Sequence, residues 1–267
     1  MKSMKVAGLE KMQRNMRKEI DDRFHQLIKG ANGSKVYGGL EERRTTIYDG
    51  CLDVEKYLKS SIHVMWILKE HNEKPNDYAD IDGHCTLFGD SVGNPSEFKK
   101  NVSKYRSLRL IERGSRYLLQ LPDGSDPVET FRSISAVNLG KCPGENKTPD
   151  SRLDDLVHWW GKILTRQVFY YKPDMIIVPG SHFSRVMKHF SRVVEKLACN
   201  QGKGEFQKKE PFSEGKARAE LYANEELTII HMQHPSWFGC KEDDWMCVLS
   251  EAVTTALPHL KLPRLKT

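Results

Sequence analysis

The sequence lacks the short motifs that mark the common cofactor and hydrolase sites. No Gly-x-Gly-x-x-Gly or Gly-x-x-x-x-Gly-Lys-Ser/Thr stretch follows an apolar run, which argues against a dinucleotide site or a P-loop. His-Glu-x-x-His and Gly-x-Ser-x-Gly are absent too. No apolar run reaches about 18 residues, so no membrane span is expected. The first residues lack the apolar core and cleavage site of a secretory signal.

Paired cysteines are also missing. The six cysteines, at positions 51, 85, 142, 199, 240 and 247, form no Cys-x-x-Cys pair. In a chain of 267 residues this spacing predicts free thiols in a cytoplasmic protein, not a disulfide framework or a cysteine-rich metal cluster. The net charge of +6 favours an anionic partner only modestly, so its distribution matters more than its size.

Four short apolar runs predict buried strands, over 62–68, 133–139, 175–178 and 227–232. Helical periodicity separates them, which predicts helices over 4–30, 94–114, 151–171, 181–196 and 241–257. Alternating strands and helices predict an α/β fold, a three-layer α/β/α arrangement around a central four-stranded parallel sheet. We expect residues 1–59 to form an N-terminal helical extension packed on a core domain over 60–267. Residues 199–217, polar and rich in lysine, predict an exposed insertion.

Polar side chains stand where three of these strands end: Glu70, Asn72, Asn138, His234 and Ser236. In open α/β sheets, ligands bind just beyond the carboxyl ends of the strands, so this is where chemistry is expected. A solvated turn after a core strand is the alternative at each of these positions. Asparagine is depleted in strands, so Asn138 either has a position-specific role or forms a turn.

Exposed aromatic and basic residues supply further candidates. Trp237 and Phe238 follow the last strand directly. Phe88 lies in a long irregular segment over 73–94, either as a stacking platform or as a plug that anchors the segment. A basic face lies between residues 99 and 116, and it either tracks a phosphate backbone or is simply solvated: Lys99, Lys100, Lys104, Arg106, Arg109, Arg113 and Arg116.

The order of these strand ends carries a family resemblance. The stretches are LKEHN over 68–72, AVNL over 136–139, KPDMIIVPG over 172–180 and HMQHPS over 231–236. Together they resemble the uracil-DNA glycosylase superfamily, of which this chain would be a divergent member, over roughly residues 60–257. The resemblance implies that family's fold, and an enzyme that hydrolyses the N-glycosidic bond of uracil or another altered base in DNA.

The resemblance also implies roles for individual residues. Glu70 would position the attacking water, with Asn72 as the second candidate. His234 would donate a hydrogen bond to a base carbonyl as negative charge builds on the leaving base. Phe88 would stack on the extruded base and Asn138 would read its edge. Ser236 would grip a backbone phosphate. Phe238 or Trp237 would wedge into the base stack.

The chain departs from the family pattern in its first loop. That loop lacks the usual glycine and proline, and Glu70 stands where the family has Asp or Asn. The close cysteine pairs of the iron–sulfur branch are missing, so no cluster, metal or other cofactor is expected. The expected protein is a monomer that repairs DNA containing a damaged or deaminated base, without a membrane partner. Two alternatives stay open: a non-catalytic DNA-binding protein of the same fold, and a metal site at His231, His234, Cys240 and Cys247.

Overall fold

The computed structural model describes residues 2–29, 46–69, 84–86, 94–141, 150–189, 206–209, 211–224, 227–260 and 262. Helices in these ranges are α1 (Lys2–Lys29), α2 (Val54–Lys59), α3 (Pro95–Lys104), α4 (Arg106–Leu118), α5 (Pro127–Arg132), α6 (Asp150–Tyr171), α7 (described over 183–189) and α8 (Glu242–Ala256). The strands are β1 (Thr46–Tyr48), β2 (Gly50–Cys51), β3 (Val64–Leu68), β4 (His84–Thr86), β5 (Ser135–Asn138), β6 (Met175–Pro179), β7 (Gln207–Lys208), β8 (Phe212–Glu214), β9 (Ala217–Ala223) and β10 (Thr228–Met232).

Eight strands form one mixed sheet in the order β2-β5-β3-β6-β10-β9-β7, with β8 also paired to β9. The strands β5, β3, β6 and β10 run parallel, and the outer strands run antiparallel to their neighbours. β1 pairs with β4 outside this sheet. The α/β class predicted from the sequence is confirmed. The sheet, however, is mixed and has eight strands, where the sequence predicts four parallel ones.

The four apolar runs form strands because almost every side chain in them is buried. Such continuous apolar runs are typical of parallel strands covered on both faces. The β9 sequence, Ala-Arg-Ala-Glu-Leu-Tyr-Ala, alternates inward and outward but places mainly small alanines inward. Its hydrophobic signal is therefore weak, and its pairing with β10 supplies what the pattern does not.

The described part of residues 199–217 is mostly exposed, as the sequence predicts, but it also forms strands that the sequence does not predict. β7 and β8 lie within it and both pair with β9. Their side chains are mostly exposed, which explains why the sequence looks like a polar loop. Backbone hydrogen bonding to β9 holds these short strands in the sheet, and in β8 Phe212 also packs against the apolar core.

Helices cover both faces of the sheet. On one face α3, α4, α5 and α8 enclose an apolar cluster, in which the rings of Trp66 and Trp245 stack 6.3 Å apart. Trp66 Nε1 donates a hydrogen bond to Ser115 Oγ at 2.9 Å, so its polar atom is satisfied. On the other face α1, α2, α6 and α7 enclose a second cluster. None of the helices in the described ranges has the length and hydropathy of a membrane span.

The first helix packs on the second of these faces. Buried α1 side chains include Leu9, Met16, Ile20 and Phe24. Gln13 on the same helix donates to the Cys51 carbonyl at 2.9 Å and accepts from the Cys51 N–H at 3.1 Å. These bonds join α1 to the edge strand β2. The division into units 1–59 and 60–267 stays a prediction.

Residues 94–114 form two helices, not the single one predicted. Asn94 caps α3 as expected, since its Oδ1 accepts from the Glu97 N–H at 3.2 Å. The break lies at Tyr105, whose backbone is extended (φ −95°, ψ 118°) between α3 and α4. The periodicity of the two helices runs on through this residue, so the sequence does not reveal the break.

The order of the parallel strands marks a crevice. The chain passes from β3 to β5 on one side of β3, and then from β5 to β6 on the other side. The direction of winding therefore reverses between β3 and β6. In open α/β sheets such a switch point, at the carboxyl ends of the strands, is where ligands bind.

Candidate functional site

The carboxyl ends of β5, β3, β6 and β10 lie along one edge of the sheet, which holds the candidate site. Hydrogen bonds continue beyond the strands, from Leu139 N–H to Leu68 O (2.8 Å), from Gly140 N–H to Lys69 O (2.8 Å) and from Gly180 N–H to Met232 O (2.7 Å). These bonds hold the backbone of the exit loops close together. Side chains that follow the four strands are thus brought to one place.

His182 lies at the switch point and is missed by the sequence reasoning. Its Nε2 donates to the Ile67 carbonyl at 3.1 Å, because a carbonyl oxygen can only accept. Burial lowers the pKa of His182 to about 4, and the nearby His234 opposes its protonation as well. The ring is therefore neutral at pH 7. His182 lies two residues after Gly180, at the exit of β6, and this position is the signal that could have identified it.

His234 has a defined tautomer. The backbone N–H of Ser236 donates to His234 Nδ1 at 3.1 Å, and Ser236 Oγ lies 2.6 Å from the same atom. Since an N–H can only donate, Nδ1 accepts and the neutral ring carries its proton on Nε2. Partial removal from water lowers the pKa of His234, and the Lys69 ammonium lowers it further. At neutral pH this imidazole offers an N–H donor.

Asn138 presents a buried amide without a partner. Only 1% of the residue is exposed, and neither Nδ2 nor Oδ1 has a hydrogen-bond partner within the described ranges. An unpaired buried amide costs about 1–3 kcal/mol, so native structures rarely keep one without a reason. Asn138 lies at the carboxyl end of β5, where ligands of open α/β sheets bind.

The backbone of Asn138 is held by a buried cluster that we call the Asp49 cluster, formed by Asp49, Lys141 and Gln167. Lys141 Nζ lies 2.6 Å from Asp49 Oδ2, 2.6 Å from the Asn138 carbonyl oxygen and 3.0 Å from Gln167 Oε1. Gln167 Nε2 donates to Asp49 Oδ1 at 2.6 Å. The Asn138 N–H donates to Asp49 Oδ2 at 2.5 Å. Both backbone polar groups of Asn138 are thereby bound to the cluster.

The loop after β10 exposes two aromatic rings. Phe238 is 84% exposed and Trp237 is 43% exposed. Arg106 anchors this loop, since it donates to the Pro235 carbonyl at 3.0 Å and to the Cys240 carbonyl at 2.8 Å. Its guanidinium lies 5.8 Å from the centre of the Phe238 ring. The loop is fixed at its base while Phe238 projects into solvent.

An open cleft of about 570 Å³ lies beside this site, between β9 and the exits of β6 and β10. Gly180, His231, His234, Arg218 and Glu220 line it, and His231 and Glu220 are cross-strand neighbours whose Nδ1 and Oε2 atoms lie 3.5 Å apart. His231 Nε2 donates to the Gly180 carbonyl at 3.1 Å. The His231 ring stacks on Phe183, with ring centres 4.1 Å apart. Volumes of this size are typical of small-molecule sites.

Three predicted site residues lie outside the described ranges: Glu70, Asn72 and Phe88. Lys69, which directly precedes Glu70, is described and lies at the β3 exit. Asn138 and His234 both lie at the carboxyl edge of the sheet, and Ser236 bonds directly to His234. The proposed role of Ser236 as a phosphate ligand stays a prediction.

The basic face of residues 99–116 is mostly neutralised. Arg109 Nη2 lies 2.6 Å from Glu242 Oε1, and Arg113 Nη2 lies 3.0 Å from Asp243 Oδ1. These acidic residues belong to the first turn of α8, where the helix dipole also favours them. Lys99 pairs with Asp126 at 2.7 Å. A phosphate backbone would have to compete with these ion pairs, and the role of this face in DNA binding stays a prediction.

The alternative metal site does not form. In the described parts of the chain, no three His, Cys, Asp or Glu side chains converge in a way that could hold a metal ion. His231 bonds to Gly180 and His234 to Ser236 instead. Cys240 Sγ lies 3.9 Å from Arg106 Nη2.

No protein-family model matches this chain, and no curated protein sequence matches it significantly. Function is therefore inferred from the geometry of the site.

Proposed function

We propose that this protein is a DNA glycosylase of the uracil-DNA glycosylase-like fold, which hydrolyses the N-glycosidic bond of uracil or another altered base. The observation that carries the proposal is the buried, unpartnered amide of Asn138 at the same sheet edge as His234. An amide offers one acceptor and two donors in fixed geometry. Deaminated bases present an N–H beside a carbonyl, and one amide can hydrogen-bond to both groups of such an edge.

His234 would stabilise the leaving group. When the glycosidic bond breaks, its electron pair goes to the base, and negative charge builds on a base carbonyl. A donor aimed at that oxygen lowers the barrier because the bond strengthens as the charge develops. The hydrogen bond from the Ser236 N–H supports this role, since it leaves the His234 proton on Nε2. Lys69 adds positive charge nearby.

The attacking water would be oriented by Glu70, as the first-loop resemblance implies. Water forms the new bond to the sugar carbon as the bond to the nucleobase breaks. The proton that the water loses passes to the Glu70 carboxylate or to the departing nucleobase anion. A carboxylate at this point also opposes the positive charge on the sugar. Lys69, which precedes Glu70 in the sequence, supports this role, because its carbonyl accepts from the Gly140 N–H, two residues after Asn138.

DNA would approach from the side of the exposed loop. Extrusion of a base costs a few kcal/mol of stacking, which an inserted apolar side chain can offset. Of the two candidates, Phe238 suits this wedge better because it is 84% exposed, whereas the Trp237 ring packs over Gly239. Arg106 holds the wedge from beneath.

The test is base release from end-labelled oligonucleotides that hold one uracil, hypoxanthine, xanthine or mismatched base, followed by alkali. We expect strand breaks at one class of lesion. His234→Ala and Asn138→Ala should each lower the rate by at least about tenfold. His158→Ala, which removes an exposed histidine on α6, is the matched control and should leave the rate unchanged.

No breaks with any lesion would refute the hydrolytic function. If salt-sensitive binding to the same oligonucleotides remained, the chain would be a non-catalytic DNA-binding protein. Breaks that survive both site substitutions would place the chemistry at other residues. Folding of each variant is checked by its far-UV circular dichroism and urea unfolding curve.

A further inference from the structure

The cleft between β9 and the β6 and β10 exits continues directly from the candidate site. Gly180 and His234 line the cleft, and both also belong to the strand exits that form the candidate site. A Cβ built on Gly180 would contact the His234 side chain at 3.5 Å. A ligand bound through His234 thus has an open volume immediately beside it. The roles proposed above for Asn138, His234 and Phe238 leave this volume unoccupied.

One wall of the cleft is a fixed aromatic ring. Trp237 lines the cleft, and its ring packs so closely over Gly239 that a Cβ there would overlap it. The backbone N–H of Trp237 donates to the His234 carbonyl at 2.8 Å, which fixes the main chain that carries the ring. The indole is therefore held in place before any ligand binds. Rigid, half-exposed aromatic rings are platforms on which nucleobases stack.

The β9 residues of the cleft offer hydrogen-bonding groups at the rim of a mainly apolar surface. Lys208 Nζ lies 2.7 Å from Glu220 Oε1, and this contact holds the pKa of Glu220 below its usual range. Glu220 is therefore ionised. Its Oε2 accepts from the Tyr222 hydroxyl at 3.2 Å and lies 3.5 Å from His231 Nδ1, and a carboxylate has about four lone-pair sites, so it can accept a further hydrogen bond. Arg218 is exposed, and its Nη1 bonds to the Gly215 and Ala217 carbonyls. An acceptor and a cation on one wall suit a base with an amino group and a phosphate beyond it.

We propose that this cleft binds a second nucleobase, that of the nucleotide next to the one excised, stacked on Trp237 with an amino or imino group facing Glu220. The inference rests on the proposed glycosylase function and names its substrate more closely. A base in this cleft has left the duplex stack together with its neighbour. The favoured substrate is then single-stranded DNA, or a duplex that opens over two adjacent nucleotides.

The test uses fluorescence anisotropy with labelled single-stranded oligonucleotides that hold a tetrahydrofuran residue at the lesion position, so it needs no catalysis. Two further oligonucleotides lack one more base, on the 5′ or the 3′ side of the lesion. We expect loss of the base on one side to weaken binding about tenfold, and loss on the other side to change it little. Pro211→Trp, which fills the cleft from its rim, should weaken binding of the first oligonucleotide and abolish the difference. Pro122→Trp, at an exposed turn away from the cleft residues, should preserve the difference.

Equal affinities for all three oligonucleotides, or a difference that survives Pro211→Trp, would overturn the inference. Base release in the separate cleavage assay distinguishes this failure from failure of the proposed function. Cleavage without a neighbour effect refutes the second base site alone. A neighbour effect without cleavage supports the site and refutes hydrolysis.

Discussion

The Nζ of Lys141 lies 2.6 Å from the backbone carbonyl oxygen of Asn138, although the lysine side chain is completely buried. A buried ammonium is costly unless its donors are satisfied, and here three oxygen atoms surround it. The same cluster accepts the Asn138 N–H through Asp49. The cluster thus fixes the backbone of a residue whose buried side-chain amide has no hydrogen-bond partner within the described ranges.

Lys141→Met should destabilise the protein strongly. The substitution keeps the volume of the side chain but leaves the Asp49 charge buried without its cation, which costs about 3–5 kcal/mol. Urea unfolding at pH 7 measures this loss. Lys59→Met is the matched control, because Lys59 pairs with Glu55 on the surface and such pairs contribute below about 1 kcal/mol. Equal effects of the two substitutions would contradict the role of the Asp49 cluster.

Stability should fall between pH 6.5 and pH 4 because of His182. The pKa of this buried ring is about 4 in the folded protein, below the ordinary value of about 6.5 in the unfolded chain. In that interval the unfolded state binds more protons, so its population rises as the pH falls. The shift corresponds to about 3 kcal/mol. Urea unfolding at pH 7 and pH 4.5 should show a smaller difference for His182→Gln than for the wild-type protein.

Base release should not begin to decline until the pH falls below the ordinary pKa of histidine, about 6.5. The pKa of His234 is lowered, so the ring stays neutral until the pH falls below about 6.5, and only then loses the acceptor that holds the Ser236 N–H. We expect kcat/KM to be flat from pH 8 to about pH 6.5 and to decline at lower pH. Circular dichroism at each pH separates this decline from unfolding. A rate that rises on acidification would show that the protonated ring is the active form.

Phe238→Ala should affect duplex substrates more than single strands. The wedge offsets the loss of stacking only where a stack exists, so we expect at least about tenfold slower release from a duplex and a smaller change for single-stranded DNA. Stability should hardly change, because the ring is mostly exposed. Phe169→Ala, at another exposed phenylalanine on α6, is the control. A loss of equal size on both substrates would argue against a wedge.

The central strands and the main helices follow from local patterns in the sequence. Runs such as Val64–Leu68 and Met175–Pro179 are apolar on both faces, and only a strand buried on both sides satisfies them. The Asn94 cap is equally local, since its partner is three residues away. The strand exits were also visible, because polar residues follow each run. These features depend on neighbours within a few residues.

Other features depend on partners that the sequence places far apart. Lys141 meets Asp49 across 92 residues, and Arg109 meets Glu242 across 133, so neither a buried lysine nor a neutralised basic face is visible locally. The β9 strand has too few large apolar residues to predict its pairing with β10. Apolar periodicity in the sequence therefore identifies the central buried strands and the main helices. The tertiary structure alone decided which polar groups meet, because the free energy of a buried charge or amide depends on contacts that only the folded chain creates.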